Sequence, residues 1–479
     1  MLRLDDTIAA IATPPGEGAI GVVRLSGPEA ASIARRLFQP RRQGNRRAAR
    51  VWQPRRVYHG YIVDPASGSL VDEVLLAYFQ APQSYTGQDV VEISGHGGGV
   101  GVREILRLSV HAGARPAERG EMTLRAFLAG KMDLAQAEAV ADAVRARTPA
   151  ALSLAVQQLS GSLSSSVSRV RSNLMQVYAH LEATIDFAED DVPSPAKAEL
   201  LGPLQQAREE IDALLSTARA GALYREGIRI ALVGRPNAGK SSLLNALLQA
   251  DRAIVTPIAG TTRDVIEESV DLEGVPAVIA DTAGITETAD PVEQIGVARS
   301  RAALAAADVV VLVLDQSRPL QAEDREVVDE LVARRNGGGE PAESRPSVVA
   351  LTKADLPAAF DRASVEQLLP GWDLEEVSSI TGKGLQALRR ALKEAAGAAL
   401  TAASGNQAQA VVSNARHREA LERARVSLME AIGSVEHDLP ADFICIDLRA
   451  AIQTLGEITG ESVTDDLLTT IFSHFCIGK

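Results

Sequence analysis

Residues 229–248 confine the middle of this chain to a parallel α/β nucleotide-binding unit. Residues 229–233 form a short apolar strand, Gly234-Arg235-Pro236-Asn237-Ala238-Gly239-Lys240-Ser241 follows directly, and residues 242–248 have helical spacing. In that order, strand, Gly-x-x-x-x-Gly-Lys-Ser loop and helix turn backbone N–H groups inward around phosphates, and the helix N-terminus adds its dipole. The spacing assigns Lys240 to the β- and γ-phosphates and Ser241 to a Mg²⁺ ion. Asn237, Ala238, Gly239 and Ser242 complete the cradle. A glycine turn with a chance Lys-Ser would not be followed by the further elements found downstream.

Thr256-Pro257-Ile258-Ala259 leads into Gly260-Thr261-Thr262-Arg263-Asp264, placed where a γ-phosphate-sensing switch belongs, with Thr262 as the expected second Mg²⁺ ligand. Asp281-Thr282-Ala283-Gly284 follows the apolar residues 277–280 and supplies a carboxylate on the metal side and a glycine N–H toward the γ-phosphate. Residues 348–351 lead into Thr352-Lys353-Ala354-Asp355. Asp355 can accept from the guanine N1–H and exocyclic amine, which adenine lacks, so GTP is the expected substrate. The first position of this element is commonly Asn, and Thr352 there is expected to remove an amide contact and lower affinity. Ser378-Ser379-Ile380, ahead of Thr381-Gly382-Lys383-Gly384, fits the last base-side loop.

No Gln follows Gly284: the next residues are Ile285 and Thr286. The attacking water must therefore be positioned by another group, and no arginine finger, worth roughly 10³–10⁵ in kcat, is assignable. Asn237 suggests a K⁺ ion in the finger's place. The alternative is that Asn237 caps its loop locally, as Asn often does.

Around this unit the pattern changes. Strand-like alternation at residues 19–25, 71–79 and 89–93, with turns at Pro14-Pro15-Gly16 and Gly95-His96-Gly97-Gly98, predicts a mixed α/β domain over 1–118. Leu152, Leu159, Leu163, Val167, Val170, Leu174, Val177 and Leu181 predict one long amphipathic helix, and a further helical stretch is expected over residues 197–223. Helical spacing returns at 416–434, 443–455 and 464–475, so the nucleotide domain, 227–397, is expected to be inserted into a helical domain made of 119–226 and 398–479. The Ala/Gly/Ser/Gln stretch at 399–410 reads as the exit linker, and 336–340 as a surface loop.

The net charge of −13 excludes non-specific nucleic-acid affinity over the whole surface. A focused patch remains open at Arg35, Arg36, Arg41, Arg42, Arg46, Arg47, Arg50, Arg55 and Arg56, where a solvated loop is the plainer reading. The longest apolar run, residues 309–314, is strand-sized and far below the about 20 residues that span a bilayer. With no apolar leader and two cysteines, Cys445 and Cys476, a reducing cytoplasm is expected.

Asp6-Thr-Ile-Ala-Ala-Ile-Ala-Thr13-Pro-Pro-Gly16, Glu92-Ile-Ser-Gly-His96-Gly-Gly98, residues 125–138 and Phe475-Cys476-Ile477-Gly478-Lys479 accompany the phosphate loop and the Gly-Thr-Thr-Arg-Asp segment. With this combination the chain resembles, over essentially its full length, the MnmE (TrmE) family of tRNA-modification GTPases. The resemblance implies an N-terminal domain that binds a tetrahydrofolate derivative (5,10-methylene or 5-formyl) and dimerises, a helical domain, and an inserted GTPase domain. It carries Arg24, Glu92, Lys131 and Lys479 over as folate contacts. It carries Asn237, Thr256, Ile258 and Thr261 over as K⁺ ligands, and Glu293 as the carboxylate that orients the attacking water. Cys476 falls at the family's characteristic cysteine, with packing and a part in the modification chemistry both open. The implied activity is GTP-dependent addition of a carboxymethylaminomethyl or aminomethyl group to the wobble uridine of certain tRNAs. A homodimer would work with an FAD-containing partner, MnmG, in a heterotetramer. A ribosome-assembly GTPase would instead carry a small basic RNA module after residue 397, and a membrane-remodelling GTPase an apolar or polybasic tip.

Overall fold

A computed structural model describes residues 5–41, 52–186, 195–252, 267–281, 304–336, 347–403 and 410–479. The chain divides into two compact units. The first comprises Met1–Ala141, Leu159–Ser168 and Gly456–Lys479, and the second Asp142–Gln158 and Arg169–Leu455.

The first unit begins with β1 (Ile8–Ile11), β2 (Gly18–Ser26), α1 (Ala30–Leu37), β3 (Phe38–Pro40), β4 (Val57–Val63), β5 (Leu70–Phe79), β6 (Val90–Gly97), α2 (Gly99–His111), β7 (Arg115–Pro116) and α3 (Glu121–Leu128). Its strands form one sheet in the order β3-β4-β5-β6-β2-β1-β7, antiparallel except for the parallel β1–β7 pair. Alternation along β2 and β6 buries Val23, Leu25, Val91 and Ile93 against α1 and α2, and turns Arg24 and Glu92 to the opposite face.

Helices α4 (Leu134–Arg145), α5 (Pro149–Leu159), α6 (Ser162–Asp186), α7 (Lys197–Ser216) and α8 (Ala218–Glu226) follow. The single long helix expected across residues 152–181 is two helices. The chain turns at Gly161, whose φ of 88° suits glycine, and Gln136 Nε2 donates to the freed Leu159 carbonyl at 2.9 Å.

The nucleotide segment runs through β8 (Ile228–Val233), α9 (Lys240–Arg252), β9 (Glu267–Leu272), β10 (Val275–Asp281), β11 (Val309–Asp315), α10 (Ala322–Asn336), β12 (Ser347–Thr352), α11 (Arg362–Leu368), β13 (Asp373–Glu376) and α12 (Leu385–Ala403). Its sheet has the order β13-β12-β11-β8-β10-β9, parallel except for the β10–β9 hairpin. Every residue of β11 is buried, as expected of a central parallel strand covered on both faces. One face carries Val311 and Val313 into a core with Leu243 and Leu392, and the other carries Val310 and Leu312 toward Val328 and Val365. The stretch read as a linker from residue 399 is helical as far as Ala403, because Ala399 and Leu400 bury their side chains. Helices α13 (Ala415–Glu436), α14 (Ala441–Thr459) and α15 (Asp465–Ser473) complete the chain.

The described arginines of the basic stretch, Arg35, Arg36, Arg41, Arg55 and Arg56, are all exposed, as a solvated stretch requires, and three of them have partners within the unit. Arg35 lies 5.2 Å over the Trp52 ring, Arg36 Nη2 donates to the Ala112 carbonyl, and Arg41 pairs with Glu73 at 3.0 Å. Arg42, Arg46, Arg47 and Arg50 lie outside the described residues, and of the stretch 336–340 read as a surface loop only Asn336, which ends α10, is described.

A buried charge network fastens β1, β7 and α3 of the first unit. Arg125 meets Asp6 at 2.6 Å and Glu121 at 2.9 Å, and Arg115 meets Glu121 at 2.6 Å and Asp6 at 2.7 Å. Arg125 and Glu121 side chains are each 1% exposed. Burial pushes the Glu121 carboxyl up, but hydrogen bonds from Arg115, the Glu118 N–H and Arg125 outweigh it and hold it below the usual range. A lowered native pKa contributes stability above the unfolded value that is lost as pH falls through the native one. Stability of this unit should therefore decline below the ordinary glutamate value of 4.5. Arg125→Leu removes one partner of a buried pair and should cost the unit about 3–5 kcal/mol. Urea titration of Trp52 fluorescence in a Trp372→Phe background reads this, and a loss under about 1 kcal/mol would contradict the network's role.

Candidate functional site

The strand ends of β8, β11 and β12 meet at the carboxyl edge of the parallel sheet, where ligands of such sheets bind. From β8 the chain enters the glycine-rich loop. Lys240 is buried, and its Nζ donates to the carbonyls of Gly234 at 2.7 Å and Arg235 at 2.9 Å, holding the ammonium inside the loop. Asn237 is exposed with φ 63°, a conformation Asn tolerates well. Ala238 is buried, Gly239 is half-buried, and Ser241 and Ser242 stand exposed on the first turn of α9.

Arg235 was not singled out by the sequence reading, yet it ties this loop to its surroundings. Its Nη1 donates to Gln321 Oε1 at 2.9 Å, its Nη2 lies 3.9 Å from Asp315 Oδ2, and its Nε faces Asp324 Oδ1 at 3.2 Å without hydrogen-bond alignment. Asp315 ends β11 and also receives Lys353 Nζ at 2.6 Å. Burial pushes its carboxyl up, and hydrogen bonds from Lys353 and Ser317 overcome that and lower it. The only local signal was an Asp closing an apolar strand.

Thr352 is buried and its hydroxyl donates to the Ala238 carbonyl at 2.6 Å, a bond within the protein rather than to a base. Lys353 has φ 60°, a strained choice for a long side chain. Asp355 is exposed and held by Ser378 Oγ, which donates to its Oδ1 at 2.6 Å. The Ser378 oxygen in turn accepts from the N–H groups of Ile380 and Thr381, which fixes the loop that also carries half-buried Ser379. Asp281 ends β10 in register with Leu232. Thr256, Pro257, Ile258, Ala259, Gly260, Thr261, Thr262, Thr282, Ala283, Gly284 and Glu293 lie outside the described residues.

A second cluster forms within the first unit. Arg24 on β2 pairs with Glu92 on β6 at 2.7 Å, and their side chains are 18% and 29% exposed. The Arg24 guanidinium lies 5.7 Å over the Tyr85 ring, and its Nη1 donates to the Gly478 carbonyl at 3.3 Å. Gly478 has φ 92°, and a Cβ there would come within 2.4 Å of the Ile11 carbonyl, so only glycine lets the last residues lie against β1. Cys476 is exposed rather than packed, and Gly120 N donates to its carbonyl. Cys445, by contrast, is buried, and that burial pushes its thiol up to about 11. Lys131 is exposed beside the loop at Gly87, and among the described residues neither Lys131 nor Lys479 has a side-chain ion pair. Tyr85 and the Gly478 carbonyl had no signal in the sequence pattern.

The parallel sheet, the lysine-bearing phosphate loop and the Asp355–Ser378 pair define a P-loop GTPase, a hydrolase of GTP. Family models match in two blocks: residues 7–131 match the GTP-binding protein TrmE N-terminus, and residues 134–476 the MnmE helical domain. The tRNA modification GTPase MnmE of Roseiflexus sp. (strain RS-1) is 47% identical over 484 residues, spanning 99% of both chains. That of Enterococcus faecalis is 45% identical, spanning 99% of this chain and 98% of its own, and that of Heliobacterium modesticaldum is 46% identical, spanning 99% of both. The chain belongs to the MnmE family of tRNA modification GTPases. Among the described residues, no helix is long and apolar enough to cross a membrane.

Proposed function

We propose that this chain is the GTP-hydrolysing subunit of a complex that adds a carboxymethylaminomethyl or aminomethyl group to C5 of the wobble uridine of certain tRNAs. The observation that carries the finer reading is the Arg24 cluster. It gathers a cation, the Glu92 carboxylate, an aromatic face and the segment bearing exposed Cys476 and half-buried Lys479 in one unit. That donor set fits a tetrahydrofolate: a carboxylate pairs with the N–H groups of a pterin, and Arg24, Lys131 and Lys479 suit its glutamyl carboxylates. Folate supplies a one-carbon unit when bound, and the redox chemistry belongs to an FAD-containing partner, MnmG, joined to a homodimer of this chain. The division into residues 1–118, 119–226, 227–397 and 398–479 is part of the same reading, as is a cytoplasmic location.

At the nucleotide site, Lys240 neutralises phosphate charge, and Asp355 reads guanine. Ser241, an exposed residue at the start of α9, carries the hard oxygen that Mg²⁺ prefers, with Thr262 as its companion. Asn237, exposed on the rim of the loop, suits a K⁺ ion together with Thr256, Ile258 and Thr261, and Glu293 orients the attacking water. The other residues of the glycine-rich loop, the switch, Asp281 and residues 282–284, and the two base-side loops line the nucleotide.

Two measurements test this. Replacing KCl by NaCl should lower kcat for GTP at least about tenfold, since the ion stands where an arginine finger would act. Equal rates in the two salts would remove K⁺ from the account. Calorimetry should detect 5-formyltetrahydrofolate binding that Arg24→Ala weakens about tenfold, the scale of one charge-assisted hydrogen bond. No binding heat from the intact protein would contradict the folate assignment.

A further inference from the structure

Thr352 stands where GTPases commonly carry Asn, and its side chain is already committed. It closes β12 at 1% exposure, and Oγ1 lies 2.6 Å from the Ala238 carbonyl and 3.1 Å from the Leu314 carbonyl. A hydroxyl has one proton, so two carbonyls compete for it and none is left to donate elsewhere. A Cβ on Gly239 would come within 3.4 Å of Thr352 Oγ1, so the phosphate loop lies directly against the hydroxyl. The Thr352 carbonyl accepts from Gln316 N at 3.2 Å, which ties the same residue to the segment following β11. Immediately afterwards the chain turns at Lys353, with φ 60°, and sends that ammonium back to Asp315.

We propose that Thr352 is a positioning residue that joins the phosphate loop to the base-reading segment, and that this enzyme reads guanine through the Asp355 edge without a side-chain contact to the purine N7. The proposal rests on the reading of Asp355 as the guanine acceptor. An Asn amide has two N–H groups: one can satisfy the Ala238 carbonyl while the other is presented to the base. A threonine hydroxyl makes the tie and has nothing left for N7. Base selection here falls on Asp355, held by Ser378, and on the loop at Ser379 and Ile380.

The test uses the full-length protein with GDP, 7-deaza-GDP, which lacks the N7 acceptor, and IDP, which lacks the exocyclic amine. The wild type should bind GDP and 7-deaza-GDP within about twofold of each other. Thr352→Asn should prefer GDP over 7-deaza-GDP by about fivefold, the scale of one neutral hydrogen bond. Thr352→Val, which leaves the Ala238 carbonyl unpaired, should weaken both nucleotides by a similar factor of about five, and Thr352→Ser should restore both. A wild-type preference for GDP of fivefold or more that Thr352→Val abolishes would overturn the proposal, as would Thr352→Val binding both nucleotides normally. IDP binding as tightly as GDP would instead show that the Asp355 reading is at fault, whatever the 7-deaza ratio.

Discussion

Three parallel strand ends, those of β8, β11 and β12, are fastened together by the Thr352 hydroxyl and the Asp315 carboxylate, and the nucleotide site depends on that fastening. Thr352 holds the phosphate loop at Ala238, and Asp315 holds Lys353 and faces Arg235. The helices on both faces of the sheet bury β11 and so place Asp315 at a fixed depth. Such groups cost free energy to desolvate, and here each is repaid by a partner supplied from another strand end. Lys240 and Asp355 thus belong to one connected edge of the sheet rather than to two independent loops.

The first unit solves a different problem. Its sheet covers one face with α1 and α2 and leaves Arg24 and Glu92 on the other, where they meet residues far away in sequence. Arg24 reaches the carbonyl of Gly478, and the buried Arg125 network fixes α3 beside β1 and β7. In the basic stretch Arg35 stacks on Trp52, Arg36 donates to a carbonyl and Arg41 pairs with Glu73, while these three, with Arg55 and Arg56, stay exposed. On a chain of net charge −13, contacts to nucleic acid must be focused.

How much of this was legible in the sequence follows from the range of each interaction. The phosphate loop, Asp355 and Ser378 belong to short strand–loop segments, so their spacing carries their chemistry. Hydrophobic periodicity also found the helices, but it ran through Gly161, because the apolar stripe continues in both α5 and α6 while the backbone turns between them. Composition misled from residue 399, where a stretch that resembles a linker begins on a helix that buries Ala399 and Leu400. At Thr352 the sequence names the missing amide but not the Ala238 carbonyl that the hydroxyl takes up. The Arg24–Gly478 contact spans 454 positions, and no local pattern encodes it; only the family resemblance pointed there.

The central claim is that the nucleotide edge and the Arg24 cluster serve one tRNA-modifying activity. The most direct measurement is mass spectrometry of wobble uridine from cells lacking this protein and complemented with wild type, Lys240→Ala or Arg24→Ala. The account predicts that deletion removes the carboxymethylaminomethyl and aminomethyl groups and that wild type restores them. Neither variant should restore them, although Arg24→Ala keeps its GTPase activity. Unchanged wobble uridine in the deletion, or full restoration by both variants, would contradict it.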